Sequence, residues 1–140
     1  MKKVTVFTIA LMFLLCPITY GQIVCVSYTP NDAGVGLRYD QQFNHCGVYS
    51  SVSYGNGYLY KLAEIYDHVK ISAGISVRTS DYAYMTAGII WHSQPNYCDL
   101  KKLSFEIGTF IKVFDRIFLG VRTDILRWEP GIDLGFKFVL

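Results

Sequence analysis

From residue 23 onward, apolar and polar side chains alternate in short stretches, and this is the dominant pattern of the chain. Leu103, Phe105, Ile107, Thr109, Ile111 and Val113 fall on one side of an extended segment, because successive strand side chains point to opposite faces. Ser104, Glu106, Gly108, Phe110 and Lys112 fall on the other. Ile117, Leu119, Val121, Thr123 and Ile125 oppose Arg116, Phe118, Gly120, Arg122 and Asp124 in the same manner. Ile132, Leu134, Phe136, Phe138 and Leu140 oppose Asp133, Gly135, Lys137 and Val139. Val69, Ile71, Ala73, Ile75 and Val77 against Lys70, Ser72, Gly74, Ser76 and Arg78 make a fourth strand. Val35, Leu37 and Tyr39 against Gly36, Arg38 and Asp40 make a fifth. Fainter versions run over Cys46–Tyr54, Tyr82–His92 and Ile23–Thr29, the last being the faintest, so the pattern predicts eight strands.

A soluble sandwich alternates too, with its apolar side inward, so the polar face must decide. Here it mixes charges of both signs and large aromatics with Gly36, Gly47, Gly74, Gly108, Gly120 and Gly135. Small residues beside bulky ones suit a narrow lumen filled by side chains, as eight strands would enclose. The apolar face would then meet lipid, which strands of about 9 to 11 residues suffice to cross. Connections alternate in length: Asn44-His45, Thr79-Ser80-Asp81 and the bend at Asp115 are short, while Tyr54 to Tyr66 and Ser93 to Lys102 are long. Pro30 to Gly34 and Arg127 to Pro130 are intermediate. That order predicts both termini at the periplasmic end, with Tyr28, Tyr54, Trp91 and Trp128 near the outer interface as an aromatic girdle. Asn56-Gly57 is a tight-turn signal, expected to extend a hairpin before a helical turn around Leu62 to Tyr66.

Residues 1–21 read as a secretory signal: Lys2 and Lys3, then an apolar run from Val4 to Leu15 too short to span a bilayer, then Thr19 and Gly21 before a cleavage ahead of Gln22. Cys16 raises lipidation as a rival, which the bulky Leu14 and Leu15 disfavour. Residues 22–140 are then a single barrel domain. Of the 13 Lys and Arg, losing Lys2 and Lys3 leaves 13 − 2 = 11 against 11 acids, a formally neutral chain without a footprint for nucleic acid. Cys25, Cys46 and Cys98 remain, an odd number with no CxxC or Cys/His spacing, so neither a zinc site nor any cofactor is expected. The strand order separates Cys46 from Cys98, so these two are not expected to pair.

The last residues sharpen the picture. Asp133, Gly135, Phe138 and the terminal Leu140 resemble the C-terminal signal read by barrel-assembly machinery, with Leu140 departing from the usual Phe. Over the whole mature chain, the alternation and the export signal resemble the small eight-stranded outer-membrane barrels of the OmpA transmembrane, OmpX, Ail and Lom group. The Gln-initiated mature end resembles exported proteins of Bacteroidetes. The resemblance implies a closed, antiparallel, up-and-down transmembrane β-barrel in the outer membrane of a Gram-negative bacterium. Its partners would be outer-membrane lipid and, during biogenesis, the assembly machinery and periplasmic chaperones.

Candidate chemistry is sparse. His92-Ser93, with Glu106 on the next strand, invites comparison with the outer-membrane lipid A deacylases. Adjacent strand residues face opposite ways, however, and the His-x-Ser spacing of that family is absent, so no catalytic residue is expected. Arg38, Asp40, Lys70, Arg78, Glu106, Lys112, Arg122, Asp124, Asp133 and Lys137 are expected to form a polar network in the lumen, with cations in excess. Tyr58, Tyr60 and Lys61 are the loop residues expected to meet an outside partner. The expected function is that of a non-enzymatic envelope scaffold, or a surface barrel acting through its loops in adhesion, host or phage contact. The alternatives are a soluble exported barrel holding an apolar ligand and, less favoured, a lipid-modifying enzyme. Lysine at Val121, Ile111 or Phe136 would abolish insertion on the first reading, with serine at Arg122 or Lys112 tolerated.

Overall fold

A computed structural model describes residues 21–59, 64–93 and 102–138. The eight strands are β1 (Gln22–Thr29), β2 (Gly34–Gln42), β3 (Cys46–Leu59), β4 (Glu64–Ser80), β5 (Ala83–His92), β6 (Leu103–Phe114), β7 (Ile117–Asp124) and β8 (Glu129–Phe138). Each pairs antiparallel with the next in sequence, and β8 returns to β1 to close the barrel. The faint first strand is paired on both sides, Gln22 with Gln41 and with Phe138, and Tyr28 with Val35 and with Ile132. Closure leaves no open edge, which is what lets a sheet stand where water cannot satisfy its backbone. The end carrying residues 21 and 138 is called here the terminal end, and the opposite one the loop end.

The alternation is realised inside out. Val26, Leu37, Val52, Ile75, Ile89, Ile107, Val121 and Leu134, one from each strand, are exposed on the outer face. Arg38, Lys70, Glu106, Arg122 and Asp133 are buried on the inner one. Ten residues in β8, at about 3.3 Å each and tilted roughly 40°, rise about 25 Å, the usual height of an apolar transmembrane band. Exposed Tyr28, Tyr54, Trp91 and Trp128 ring the loop end, as the pattern predicted, and Tyr82, Phe114 and Phe138 ring the terminal end.

The connections differ from the sequence reading in several places. Pairing of β3 with β4 runs from Cys46↔Val77 up to Leu59↔Glu64, so most of the expected long loop is a protruding ribbon. Asn56-Gly57 lies within that ribbon, opposite Asp67 and Tyr66, rather than in a turn, and Glu64 to Tyr66 are strand rather than helix. The 17 residues of β4 supply continuous ladder partners, which overrides a two-residue turn signal. The turn after β4 is at Asp81-Tyr82, with a register shift between Arg78 and Ser80. β8 begins at Glu129, because Ile125 to Trp128 already complete a turn, closed by Trp128 at φ 53°. Such a left-handed backbone is unusual for a bulky residue. Carboxylate Oδ1 of Asp124 holds that turn, accepting from the Leu126 and Arg127 amides at 3.1 Å each.

Candidate functional site

The inner face is arranged in three tiers. Nearest the terminal end, Ile23, Cys25, Tyr84, Phe110 and Phe118 form an apolar plug, each at most 5% exposed. Glycines make room for it: a Cβ on Gly120 would lie 2.6 Å from the Phe110 ring, and one on Gly135 2.8 Å from the Cys25 sulfur. With the lumen filled by large side chains, this part of the barrel is a stopper rather than a channel.

Above the plug lies a ring of charges built on Arg38. Its guanidinium stacks 3.7 Å over the Tyr49 ring and 4.7 Å from that of Phe110. It also faces three carboxylates, Glu106 at 3.5 Å, Asp40 at 3.7 Å and Asp133 at 3.9 Å. Arg122 completes the ring, with Nη1 2.8 Å from Glu106 and Nε 3.2 Å from Asp133. Ser76 donates to Asp40 at 3.0 Å, and the Gln42 side-chain amide donates to both Asp40 and Ser76. Tyr49 fits where Gly74 and Gly88 lack side chains, since a Cβ on Gly74 would meet its ring at 2.7 Å, and its hydroxyl donates to Glu106 at 3.1 Å. Replacing Tyr49 by Phe removes that one charge-assisted bond and keeps the ring. The expected loss is about 1.5–3 kcal/mol, read as a lower urea midpoint at unchanged slope.

The third tier lies toward the loop end and brings together residues of five strands, β4 to β8. His92 of β5 is fully buried, with Nε2 2.7 Å from Asp124 Oδ2 and Nδ1 3.1 Å from Nε2 of His68 on β4. Ser104 of β6 donates to the other Asp124 oxygen. Lys70 of β4 reaches Glu129 of β8 at 2.8 Å. Ligand atoms of His92, Asp124 and Glu129 all lie within 4.8 Å of one another. Among the described residues no hydroxyl bonds the His92 imidazole: Ser104 bonds Asp124, and the Ser93 hydroxyl accepts from the Val69 amide at 2.9 Å. The arrangement binds protons or cations more readily than it performs acyl transfer.

Seven of the ten predicted network residues, Arg38, Asp40, Lys70, Glu106, Arg122, Asp124 and Asp133, are buried together. The other three sit apart at the terminal end. Arg78 pairs with the exposed Asp81 at 2.7 Å, Lys112 with the exposed Asp115 at 3.8 Å, and Lys137 is half-buried beside Gly21. Near a strand end, a long cationic side chain reaches water and a turn carboxylate instead of crossing into the lumen. Their departure reverses the expected cation excess: among the described residues three buried cations face four buried carboxylates, with Glu129 a fifth at the rim. Tyr49 and Glu129 were missed by the sequence reading because they lie in a faint strand and in a connection, and His68 because it falls between the long connection and the strand expected from Val69. Of the loop residues, Tyr58 lies in β3 opposite Ile65, while Tyr60 and Lys61 fall outside the described residues. In the assembly-signal segment, Asp133 and Gly135 face inward and Phe138 outward, with Leu140 outside the described residues, as are the signal segment 1–20 and Cys98. Cys46 is a free, exposed thiol at the terminal end.

No family model and no curated protein matches the sequence. Among solved structures, the Yersinia pestis outer membrane protein Ail in a phospholipid bilayer nanodisc is similar at 13% identity and a TM-score of 0.56, over 84% of this chain and 99% of that one. The crystal structure of Ail, the attachment invasion locus protein of Yersinia pestis, is similar at 14% identity and a TM-score of 0.50, over 84% and 94%. Identities this low speak to architecture, and the architecture is a closed, antiparallel, eight-stranded barrel of the kind Ail has.

Proposed function

We propose that this protein is an outer-membrane barrel of a Gram-negative bacterium, exported through a cleaved signal, with a plugged lumen and with its outside contacts made at the loop end. One observation carries the reading: every strand exposes aliphatic or aromatic side chains outward and buries polar ones inward. That is the reverse of what water selects. The likeness to Ail, a barrel studied in a phospholipid bilayer and named for attachment and invasion, supports the same setting. The β3–β4 ribbon, which carries Tyr58 and leads to Tyr60 and Lys61, is the part best placed for adhesion or another outside contact. A lumen lined by Arg38, Glu106 and Asp133 argues against storage of an apolar ligand.

Fractionation of a Gram-negative host expressing the full chain tests this. The expected result is recovery in the outer-membrane fraction, with a band that migrates differently before and after boiling, and labelling of Lys61 or Lys101 on intact cells. Recovery in the periplasmic soluble fraction would overturn it.

A further inference from the structure

The barrel holds a group of side chains that the plug and the arginine ring do not use. His92, Asp124 and Glu129 come from three different strands, yet their donor atoms converge within 4.8 Å. Behind them, His68 is 6% exposed and its Nε2 lies 3.1 Å from Nδ1 of His92. We propose that this cluster is a binding site for a divalent first-row metal ion of the zinc class, with His92 Nε2 and the Asp124 and Glu129 carboxylates as ligands.

Three features of the geometry carry the proposal. When His92 Nδ1 donates to His68 Nε2, the lone pair of His92 Nε2 points at Asp124 Oδ2, 2.7 Å away. Two acceptors that close require a cation between them, either a proton or a metal. A second partner fixing the tautomer of a ligating imidazole is the usual support of such a site. The other Asp124 oxygen is committed to the turn and to Ser104, so Oδ2 is held in place for this role. Charge is the second feature: two carboxylates of this tier, Asp124 and Glu129, stand against one buried cation, the Lys70 ammonium, which Glu129 already attracts. Third is access. Glu129 lies at the rim, its side chain 17% exposed, where an ion can enter from the loop end and keep an open position for water. One imidazole and two carboxylates form a borderline-to-hard donor set that suits zinc, manganese or iron(II) rather than a soft ion.

Loading the site displaces the proton between His92 and Asp124 and opens their contact from 2.7 Å to the roughly 3.3 Å edge that ligand bonds of about 2.0–2.1 Å imply. It also moves Lys70 off Glu129. Both Lys70 and the half-buried Arg127 at the rim oppose an added positive charge.

The test uses the full barrel folded in detergent, titrated with Co²⁺ or Zn²⁺ alone. One ion per barrel is expected, with a cobalt spectrum stronger than that of the hexa-aqua ion and with proton release on binding. Replacing His92 by Gln or Glu129 by Gln should weaken binding at least tenfold, and His68 by Ala about tenfold to a hundredfold. Lys70→Met should tighten it, an effect that a purely structural network does not produce. Glu129, at the rim, keeps the test decisive should the His92 variant fail to fold. Equal binding by wild type and the Glu129→Gln barrel, or a cobalt spectrum unchanged from that of the free ion, would overturn the proposal.

Discussion

Lysine introduced together at Val121 and Leu134 should remove the barrel from the membrane fraction, whereas lysine at Tyr82 should leave it there. Val121 lies in mid-strand, paired with Thr109 and Ile132, and Leu134 is paired with Leu119 and Val26. Both side chains point outward, 55% and 46% exposed. If that surface meets hydrocarbon, each lysine near the midplane costs about 2–4 kcal/mol, and two together, about 4–8 kcal/mol, take a large share of a typical total stability of about 5–15 kcal/mol. Tyr82 sits in the turn at the terminal end, where the same substitution costs about 0–1 kcal/mol because the ammonium reaches water. A water-exposed barrel behaves otherwise, since surface substitutions away from special features change stability by roughly 0.5 kcal/mol or less. The measurement is the fraction of protein showing the unboiled, folded band in membranes. A doubly substituted barrel as abundant there as the parent would sink the membrane reading. The depth dependence also refines the sites expected from sequence: Val121 should be more damaging than Phe136, which pairs with Ile117 and Val24 close to the terminal end.

Strand periodicity made the fold legible. On β6 to β8 the predicted faces hold residue by residue, because both sides of the sheet are under selection, one for apolarity and one for small or charged groups. Turn chemistry was a poorer guide. Asn56-Gly57 has the right residues for a hairpin tip but is carried up the ribbon by the ladder with β4. The third tier was hidden for a different reason. His68, His92, Asp124 and Glu129 are distributed over four strands, and their convergence depends on register around a closed sheet rather than on spacing in the chain. The absence of any Cys/His spacing therefore said nothing about donor atoms that the barrel's closure brings together. Charge sorting was legible in part: Arg38 and Arg122 lie deep enough to have no route to water, whereas Arg78 and Lys112, on the same face of their strands, have turn carboxylates three residues away.

That distinction governs the second large effect. Arg38→Met should destabilise the folded barrel by about 3–5 kcal/mol, because it leaves Asp40, Glu106 and Asp133 buried around an uncharged side chain. Arg122→Ser belongs to the same class, since it strands Glu106 and Asp133, so the tolerance expected for it from sequence does not survive the geometry. Lys112→Ser is expected to be tolerated, since Lys112 pairs with a fully exposed aspartate. Arg78→Ser, at a pair 35% and 80% exposed, should cost no more than about 0–1 kcal/mol. The decisive comparison is the double substitution Arg38→Met with Asp133→Asn. Removing one stranded carboxylate returns part of what the single change lost, and a coupling of about 0.5–3 kcal/mol is expected between groups in contact. Urea unfolding of the folded band, followed under one set of conditions for the parent, Arg38→Met, Asp133→Asn, their double variant and Arg78→Ser, reads each value and the coupling. If Arg38→Met were no more damaging than Arg78→Ser, neither the carboxylates around Arg38 nor the stacking of its guanidinium on Tyr49 and Phe110 would be what holds the ring together.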